Sequence, residues 1–285
     1  MNIAILGPGA IGSTFALHFS RAGHDVTVVA RGKRLEQLLR SQAIVDAAGH
    51  AAPVTVATKL DETIAYDFLL VAVLAHQVEA VLPQVRASAA RRVMFMFNTF
   101  DSLSHLREAV GAARFAFGFP AIIATLDDDG ILASRVVTVG QITTVTDEPW
   151  AELFRAAGIG TVVHDDMESW LRTHVAMMVP FMVALARAHR RQAGLLWREC
   201  TELALAMKEG FALVRTLGNR ITPAPMIVLE RLPVSTVALL LWSTTRARML
   251  RKNGARGMAE PAALIASMKA IALRDLPRIG AFSLE

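Results

Sequence analysis

The sequence predicts an α/β Rossmann-type doubly wound sheet followed by an all-α C-terminal domain. Short apolar runs typical of strands alternate with helical patterns through the first half of the chain. Such alternation is typical of a parallel sheet covered by helices on both faces. After Met167 the strand-like alternation almost disappears and long helical patterns dominate. We therefore place a domain boundary near residue 165, with one domain over 1–165 and a second over 166–285.

The first half contains strand-like runs with helical segments between them. Several runs are apolar on both faces, as expected for buried parallel strands, and together they span 2–6, 25–30, 67–73, 92–97 and 114–119. The helical patterns lie near 10–22, 33–42 and 76–86. Residues 43–57 and 131–145 are predicted to form additional hairpin-like strands. The segment 149–158 begins with proline and ends with glycine, as a short helix should.

The second half is predicted to be helical. Its helical patterns span 168–189, 195–217, roughly 225–250 and 259–273. Helix-breaking residues separate them at Gly218, Pro223, Pro225 and Asn253-Gly254. Pro180 lies inside the first of these helices, where we expect it to kink or restart the helix.

Composition excludes several classes of protein. The chain has 285 residues, is 53% hydrophobic and contains one cysteine, Cys200, so disorder and an internal disulfide are excluded. The eight histidines are scattered and form no metal-ligand pattern. No 18-residue stretch lacks both charge and proline, and the N-terminus does not resemble a signal peptide. We therefore predict a cytoplasmic protein without a membrane span, whose mean hydropathy of +0.41 indicates buried helices or a homodimer interface.

The chain is basic, with a formal net charge of +5 spread along its length. A scattered basic surface is usually only solvated, and the alternative is attraction of an anionic ligand. Because no recognised nucleic-acid-binding motif accompanies the charge, we predict no nucleic-acid partner.

Residues 7–12, GPGAIG, form a glycine-rich turn between the first predicted strand and the first predicted helix. Gly7 permits the tight turn, Gly9 lets a pyrophosphate approach the backbone, and Gly12 lets helix and strand pack closely. The helix N-terminus, which includes Ala10 and Ile11, then faces the phosphates. In this context the pattern predicts a dinucleotide site rather than an incidental glycine turn.

The end of the second predicted strand indicates which dinucleotide is bound. An NAD site has Asp or Glu there to accept a hydrogen bond from the ribose 2′-hydroxyl. This chain has VVARGKR instead, with Arg31 at that point and Lys33 and Arg34 behind it. Cations suit a 2′-phosphate, so we predict NADP(H); the alternative is an exposed basic loop.

Taken in order, these motifs resemble those of the ketopantoate reductase (2-dehydropantoate 2-reductase) family. The resemblance rests on NIAILGPGAIG, VVAR, DFLLVAVLAHQVEAVLP and the asparagine in MFNTF, followed by a helical second half. It implies reduction of a 2-keto acid by NADPH, in a cleft between the two domains. The second domain would then serve substrate binding or dimerisation.

The resemblance also implies further cofactor contacts at Leu74 and Asn98. The family usually has Asn-Gly-x-Gly after the fourth strand, and Asn98 is followed here by Thr-Phe-Asp. It usually has a lysine after the third strand, where this chain has Leu74. Asn98 is expected to contact substrate as well as cofactor.

In the helical domain the resemblance implies a substrate site with several departures. The family's catalytic lysine corresponds to Arg172, and an asparagine one turn later corresponds to Ala176. A family glutamate matches Glu260, so Arg172 and Glu260 are the candidate catalytic residues. A family serine corresponds loosely to Ser243, with Ser267 as an alternative.

Arg172 and His174 lie two residues apart on one predicted helix. Arginine rarely gives up a proton, but it can polarise a carbonyl or bind a carboxylate. Histidine could supply the proton. Residues two apart point roughly 200° away from each other on a helix, so we expect Arg172 to face a site and His174 to pack in the core. The sequence thus predicts an NADPH-dependent reductase of a 2-keto acid or related carbonyl, the alternative being a non-catalytic, regulatory NADP(H)-binding protein.

Overall fold

The computed structural model describes residues 1–256 and 258–282, without the side chains of Asn253 and Arg256. The chain divides into two compact units. The first unit comprises Met1–Asn98 and Leu103–Met167. The second, called the helical unit below, comprises Thr99–Ser102 and the chain from Glu168 onward. A short segment of the first half thus packs with the helices of the second.

The first unit contains the predicted strands together with two strands, over 122–126 and 161–163, that were not predicted. In chain order they are β1 (Asn2–Leu6), β2 (Asp25–Val29), β3 (Ala43–Val45), β4 (Ala51–Pro53), β5 (Thr55–Ala57), β6 (Phe68–Val71), β7 (Val93–Met96), β8 (Phe115–Phe119), β9 (Ile122–Leu126), β10 (Leu132–Val136), β11 (Thr143–Val145) and β12 (Thr161–Val163). Eight form one sheet in the order β12-β11-β8-β7-β6-β1-β2-β5. Every pairing in it is parallel except β8 with β11. The doubly wound prediction is confirmed.

The sheet reverses its strand order at β1, which lies between β6 and β2. The central strands β6 and β7 are buried along their whole length, which explains why their sequences are apolar on both faces. In an open α/β sheet, ligands bind outside the carboxyl ends of the strands at such a reversal. The glycine-rich turn follows β1 directly, so the topology places it at this point.

Helices cover the sheet as predicted, with one addition. They are α1 (Ala10–Arg21), α2 (Gly32–Ser41), α3 (Val78–Ala87), α4 (Ser104–Val110) and α5 (Glu148–Ala156). Only α4 was not anticipated. Packing of α1 and α5 on the sheet is largely aromatic: the ring of Phe154 lies 5.3 Å from both Phe15 and Phe19, and Trp150 stacks on Phe68 at 4.6 Å.

The two predicted hairpins have different outcomes. Within 43–57, β3 and β4 form an antiparallel pair, and β5 continues into the main sheet beside β2. Over 131–145 both strands form but the predicted hairpin does not, because β10 pairs antiparallel with the preceding strand β9 and β11 joins the main sheet. The reason is the turn at 127–130, called the hairpin turn below. The Asp127 carboxylate accepts the backbone N–H groups of Asp129 and Ile131, and Gly130 supplies a φ of +84°.

The second unit is helical over the described residues, as predicted. Its helices are α6 (Met167–Arg191), α7 (Trp197–Thr216), α8 (Ala224–Arg231), α9 (Val234–Arg246), α10 (Arg248–Arg251) and α11 (Ala259–Ile271). Helix α6 continues through Pro180, so the predicted restart does not occur. The single helix predicted over 225–250 is wrong. It breaks before Pro233, which lacks an N–H and favours an extended Leu232, and α8 and α9 meet at 111°.

Helix α6 is long and apolar enough to cross a membrane by length and composition, but 78% of its most apolar window is buried in the fold. Val175, Val179 and Val183 have no exposed surface and belong to the core of the helical unit. Taken as one segment, the bent pair α8–α9 is also long and apolar enough by length and composition. Burial explains the apolar character of α6 as that of a core helix.

Candidate dinucleotide and substrate sites

The glycine-rich turn has the backbone geometry that its three glycines predict. Gly7 has a φ of +90°, and a Cβ there would lie 2.6 Å from Cγ1 of Val73. A Cβ at Gly12 would collide with the carbonyl oxygen of Gly7 and touch Cβ of Ala72. Glycine is therefore required at both positions for α1 to start so close to β1 and β6.

Gly9 differs from the other two glycines, because a Cβ there would meet no described atom within 4 Å. Gly9 is the N-cap of α1, and no side chain of a described residue caps the helix. The first turn, which starts at Ala10 and Ile11, contains no acidic residue. Open space in front of uncapped N–H groups at a helix N-terminus is suited to a phosphate.

A cleft of about 410 Å³ lies against this turn. All of its lining residues belong to the first unit: Leu6, Gly7, Pro8, Gly9, Val29, Ala30, Arg31, Lys33, Arg34, Gln37, Thr58, Val73, Gln77, Ala80, Val81, Gln84, Leu126 and Asp127. Among the described residues, no group of three or more His, Cys, Asp or Glu could hold a metal ion. The cleft lining combines glycine, proline and apolar residues with three cations, three glutamines, a threonine and an aspartate.

Arg31 is the exposed cation at the end of β2. It is the N-cap of α2, with extended backbone angles, and it lines the cleft. Among the described residues, none forms a hydrogen bond or ion pair with its side chain. Its guanidinium is thus available to an anionic ligand, as the sequence predicts for a 2′-phosphate.

The two other cations of the basic run have protein partners. The ammonium of Lys33 lies 2.9 Å from a carboxylate oxygen of Asp128, and both side chains are exposed. Arg34 donates to the carbonyl oxygens of Pro8 and Gly130 and to the hydroxyl of Ser13. Burial lowers the pKa of Arg34, although an arginine remains charged at any physiological pH. Arg31, Lys33 and Arg34 look equivalent in sequence, but the structure gives each of them a different environment.

Leu74 and Asn98 lie near strand ends. Leu74 is 60% exposed and begins a short 3₁₀ helix over Ala75–Gln77. Its neighbour Val73, rather than Leu74, lines the cleft. Asn98 follows β7 and is half-buried. It is the last residue of the Met1–Asn98 segment of the first unit. The cofactor contacts of both residues stay predictions.

Arg172 is buried in the helical unit, at 7% exposure. Its Nε donates to the carbonyl oxygen of Phe100 at 3.1 Å, and its Nη1 donates to Oδ1 of Asn219 at 2.5 Å. The same Nη1 lies 3.0 Å from the carboxylate of Glu168. Arg172 also lies over the ring of Phe100, 5.9 Å from its centroid. These contacts tie α6 to the 99–102 segment and to the chain after α7.

His174 is also buried, and its ring stacks on Trp170 at 5.2 Å with an interplanar angle of 12°. Burial lowers the pKa of His174 to about 3. The imidazole is therefore neutral at physiological pH and carries no spare proton to donate as an acid. This environment supports the packing role expected for His174.

The other predicted substrate residues lie on different helices. Ala176 has no exposed surface and packs against Gly210 of α7, so in this arrangement it offers no surface to a substrate. Ser243 is exposed on α9 and donates to the carbonyl oxygen of Leu240. Glu260 is exposed in the first turn of α11, and Ser267 donates to the carboxylate of Asp101 at 2.5 Å. Substrate contacts at these positions stay predictions.

Sequence reasoning missed part of the cleft wall. Thr58 and Gln84 line it from segments without a recognisable motif, and Gln77 lies in the run DFLLVAVLAHQVEAVLP but was not predicted as a site residue. Asp127 lines it from the hairpin turn, which the sequence signals through the turn-forming run DDDG at 127–130. The wrong pairing predicted for 131–145 concealed this element.

Comparisons with known proteins agree with this architecture. The family profile described as ketopantoate reductase PanE/ApbA matches residues 3–144. A 2-dehydropantoate 2-reductase of Vibrio cholerae is 32% identical over 137 residues, which cover 47% of this chain and 42% of that enzyme. The aligned stretch thus spans less than half of this relative.

Solved structures match over nearly the whole chain. A 2-dehydropantoate 2-reductase from Porphyromonas gingivalis is 16% identical, with a TM-score of 0.67 over 98% of this chain and 96% of that one. A D-mandelate dehydrogenase, solved with NADH and anilino(oxo)acetate, is 13% identical, with a TM-score of 0.72 over 98% and 95%. At such identities the likeness shows the fold. With the profile spanning the glycine-rich turn, Arg31 and the hairpin turn, this chain belongs to the ketopantoate reductase PanE/ApbA family.

Proposed function

We propose that this protein binds NADP(H) in the cleft of its first unit and uses it to reduce a 2-keto acid or a related carbonyl compound. The observation that carries the proposal is the combination of an open space at Gly9 with an exposed, unengaged Arg31 in one cleft. A dinucleotide needs both a close backbone approach for its pyrophosphate and a partner for its ribose. Gly9 would meet the first requirement and Arg31 the second.

The residues of the cleft fit such a cofactor. Gly9 and the first turn of α1 would receive the pyrophosphate, and Arg31 would pair with a 2′-phosphate. An acidic residue in the position of Arg31 would instead favour the free hydroxyl of NADH. When bound, the cofactor supplies the hydride, and the chain's own residues must orient the carbonyl and provide for the proton.

The groups proposed to act on substrate are Asn98, Arg172, Ser243 and Glu260. Arg172 would bind a carboxylate or polarise a carbonyl, which an arginine does without changing its protonation state. The low pKa of His174 supports a packing role rather than proton donation at neutral pH. The proton would then come from water or from a carboxyl group such as Glu260. The 2-oxo compound bound by the D-mandelate dehydrogenase neighbour supports a substrate less polar than ketopantoate.

The second candidate is a non-catalytic NADP(H)-binding protein of the same fold. One observation favours it: Arg172, which stands where the family's lysine is expected, is held by Glu168, Asn219 and the Phe100 carbonyl. A guanidinium engaged by three protein acceptors has less capacity to bind a substrate than a free one.

Steady-state oxidation of NADPH with ketopantoate and a panel of aromatic and aliphatic 2-keto acids separates the two candidates. Turnover with any member supports the reductase, and calorimetric NADPH binding without turnover on the full panel supports the non-catalytic protein. Because one general acid is worth about 10²–10⁴-fold in rate, we expect kcat/KM for ketopantoate itself below roughly 10⁴ M⁻¹s⁻¹. A higher value would show that Arg172 replaces the lysine without loss.

The location and assembly of the protein are part of the same proposal. We expect a cytoplasmic enzyme, because its proposed cofactor and substrates are small soluble metabolites. Exposed apolar side chains of the helical unit, including Leu239 and Leu240 on α9, would be covered in a homodimer. Sedimentation of the purified protein measures its oligomeric state directly.

A further inference from the structure

Arg34, which lines the cleft, contacts three separate segments of the first unit. Its Nε donates to the carbonyl oxygen of Pro8, and its Nη2 donates to the hydroxyl of Ser13, each at 3.0 Å. Its Nη1 donates to the carbonyl oxygen of Gly130 at 3.0 Å and to Oε1 of Gln37 at 3.3 Å. One guanidinium thus joins the glycine-rich turn, the first helix and the hairpin turn.

Two of these acceptors belong to the glycine-rich turn and the hairpin turn, and both turns contribute residues to the cleft wall. Pro8 stands between Gly7 and Gly9, in the middle of the glycine-rich turn. Its carbonyl oxygen also accepts the hydroxyl of Ser13 at 2.8 Å, so Arg34, Pro8 and Ser13 form a small hydrogen-bond network at the turn. At Gly9, by contrast, a Cβ would meet no described atom within 4 Å.

The hairpin turn packs closely against the side chain of Arg34. A Cβ at Gly130 would lie 2.5 Å from Nη1 of Arg34 and 2.7 Å from the amide carbon of Gln37. Gln37 in turn donates from Nε2 to the carbonyl oxygen of Asp128 at 2.9 Å. Helix α2 therefore holds the hairpin turn through Arg34 and Gln37, and the turn contributes Asp127 to the cleft.

The contacts of Arg34 leave it little capacity to bind a phosphate. A guanidinium has five N–H donors, and four hydrogen bonds already run from it to Pro8, Ser13, Gln37 and Gly130. Turning it toward a ligand would leave the Pro8 and Gly130 carbonyl oxygens without this partner, which is costly for partly buried groups. Among the described residues, none forms a hydrogen bond or ion pair with the side chain of Arg31.

We infer that Arg34 is a positioning residue, which holds the glycine-rich turn and the hairpin turn in the shape that accepts a dinucleotide, and that it leaves recognition of the 2′-phosphate to Arg31. The inference rests on the proposed function, since it assumes that the cleft binds a nicotinamide dinucleotide. It assigns different roles to two arginines three residues apart. The pyrophosphate is common to NADPH and NADH. A change in the shape of the glycine-rich turn must therefore weaken the binding of both cofactors by the same factor.

Dissociation constants for NADPH and NADH, measured by calorimetry on the full chain, test this directly. Arg34→Met should weaken both cofactors by about 10-fold or more, as expected for loss of charge-assisted hydrogen bonds, with their affinity ratio unchanged. Arg31→Met is the matched control and should weaken NADPH alone. Loss confined to NADPH in Arg34→Met, or no loss at all, overturns the inference.

Arg34→Lys separates geometry from charge. A lysine keeps the positive charge but cannot span the four acceptors as a planar guanidinium does. A positioning role predicts that both cofactors remain weakened, whereas recovery of NADPH affinity by lysine would identify Arg34 as a phosphate ligand and overturn the inference.

Gly130→Ala tests the same network if the Arg34 variants fail to fold. It removes no polar group, but it forces a Cβ against Arg34 and Gln37 at a φ unfavourable to alanine. Binding is measured at a temperature well below the Tm of the variant. Gly130→Ala should weaken the binding of NADPH and NADH by the same factor, and unchanged binding of both would contradict the inference. A wild-type protein that binds neither nucleotide would instead overturn the proposed function itself.

Discussion

In the first unit three of the residues predicted to hold a cofactor line one cleft, whereas in the helical unit the residues predicted to hold a substrate lie on three helices. Gly7, Gly9 and Arg31 line the same space, but Arg172 lies on α6, Ser243 on α9 and Glu260 on α11. A dinucleotide site is built largely from one strand–turn–helix segment, so a local motif predicts it. A site made of side chains from separate helices has no such local signature.

The two regions also differ in how their arginines are used. Arg31 is exposed and has no described partner, while Arg172 is buried and contacts Glu168, Asn219 and Phe100. A cation in an open cleft is available to a ligand, whereas a buried one is costly unless protein groups compensate it. The following experiments test this contrast, from the largest expected effect to the smallest.

Gly9→Val should abolish binding of either cofactor. The new side chain enters open space in the protein without ligand, so the fold should survive while the pyrophosphate is excluded. Calorimetry measures binding, and circular dichroism measures the fold. Gly12→Val is the contrasting variant, since its side chain would collide with Gly7 and should destabilise the first unit. Normal NADPH binding by folded Gly9→Val protein would place the cofactor elsewhere.

Arg172→Met should destabilise the helical unit by about 3 kcal/mol, the lower end of the range for breaking a buried ion pair. It leaves Glu168 and the Phe100 carbonyl without their cation. Thermal unfolding of the full chain would detect this as a lower Tm. Arg278→Met, which breaks the exposed pair with Glu202, is the matched control and should have little effect. An unchanged Tm in Arg172→Met would mean that the arginine is held for a ligand rather than for the fold.

Arg31→Ala should weaken NADPH by about 1.5–3 kcal/mol, the range for a hydrogen bond to a charged group, and leave NADH nearly unchanged. Its side chain has no described protein partner, so the Tm should not move. Competition between the two nucleotides in a binding titration measures the difference. Equal affinity of the wild type for NADPH and NADH would show that the end of β2 does not select the cofactor.

His174 should make the helical unit less stable as the pH falls. Its pKa is about 3 when folded and about 6.5 when unfolded, so between these values only the unfolded state takes up a proton. The free energy of unfolding should therefore decrease below pH 6.5 by about 1.4 kcal/mol per pH unit at full slope. Above pH 6.5 this group has no effect.

The variant His174→Phe keeps an aromatic ring against Trp170 and removes the titration. Denaturant unfolding between pH 4 and pH 7 would compare the slopes of the two proteins rather than their absolute stabilities. A flatter pH dependence in the variant is expected. Identical slopes would indicate that the imidazole is protonated in the folded protein, which would restore it as a candidate acid.

The sequence by itself determined the fold class, the glycine-rich turn and the position of Arg31, because each depends on local signals. Apolar runs set the buried strands, and glycines set the backbone at Gly7 and Gly12. Pro233 is also a local signal for the break between α8 and α9. The prediction of one helix over 225–250 followed the helical pattern around Pro233 and missed this break.

Only the tertiary structure decided how the charged residues are used. Arg34 meets Gly130, 96 residues away in the chain, and Arg172 meets Phe100, 72 residues away. Neither partner is implied by the sequence around the arginine. The same side chain can be a ligand contact or a structural bridge, and which it becomes depends on whether folding brings acceptors to it or leaves it facing an open cleft.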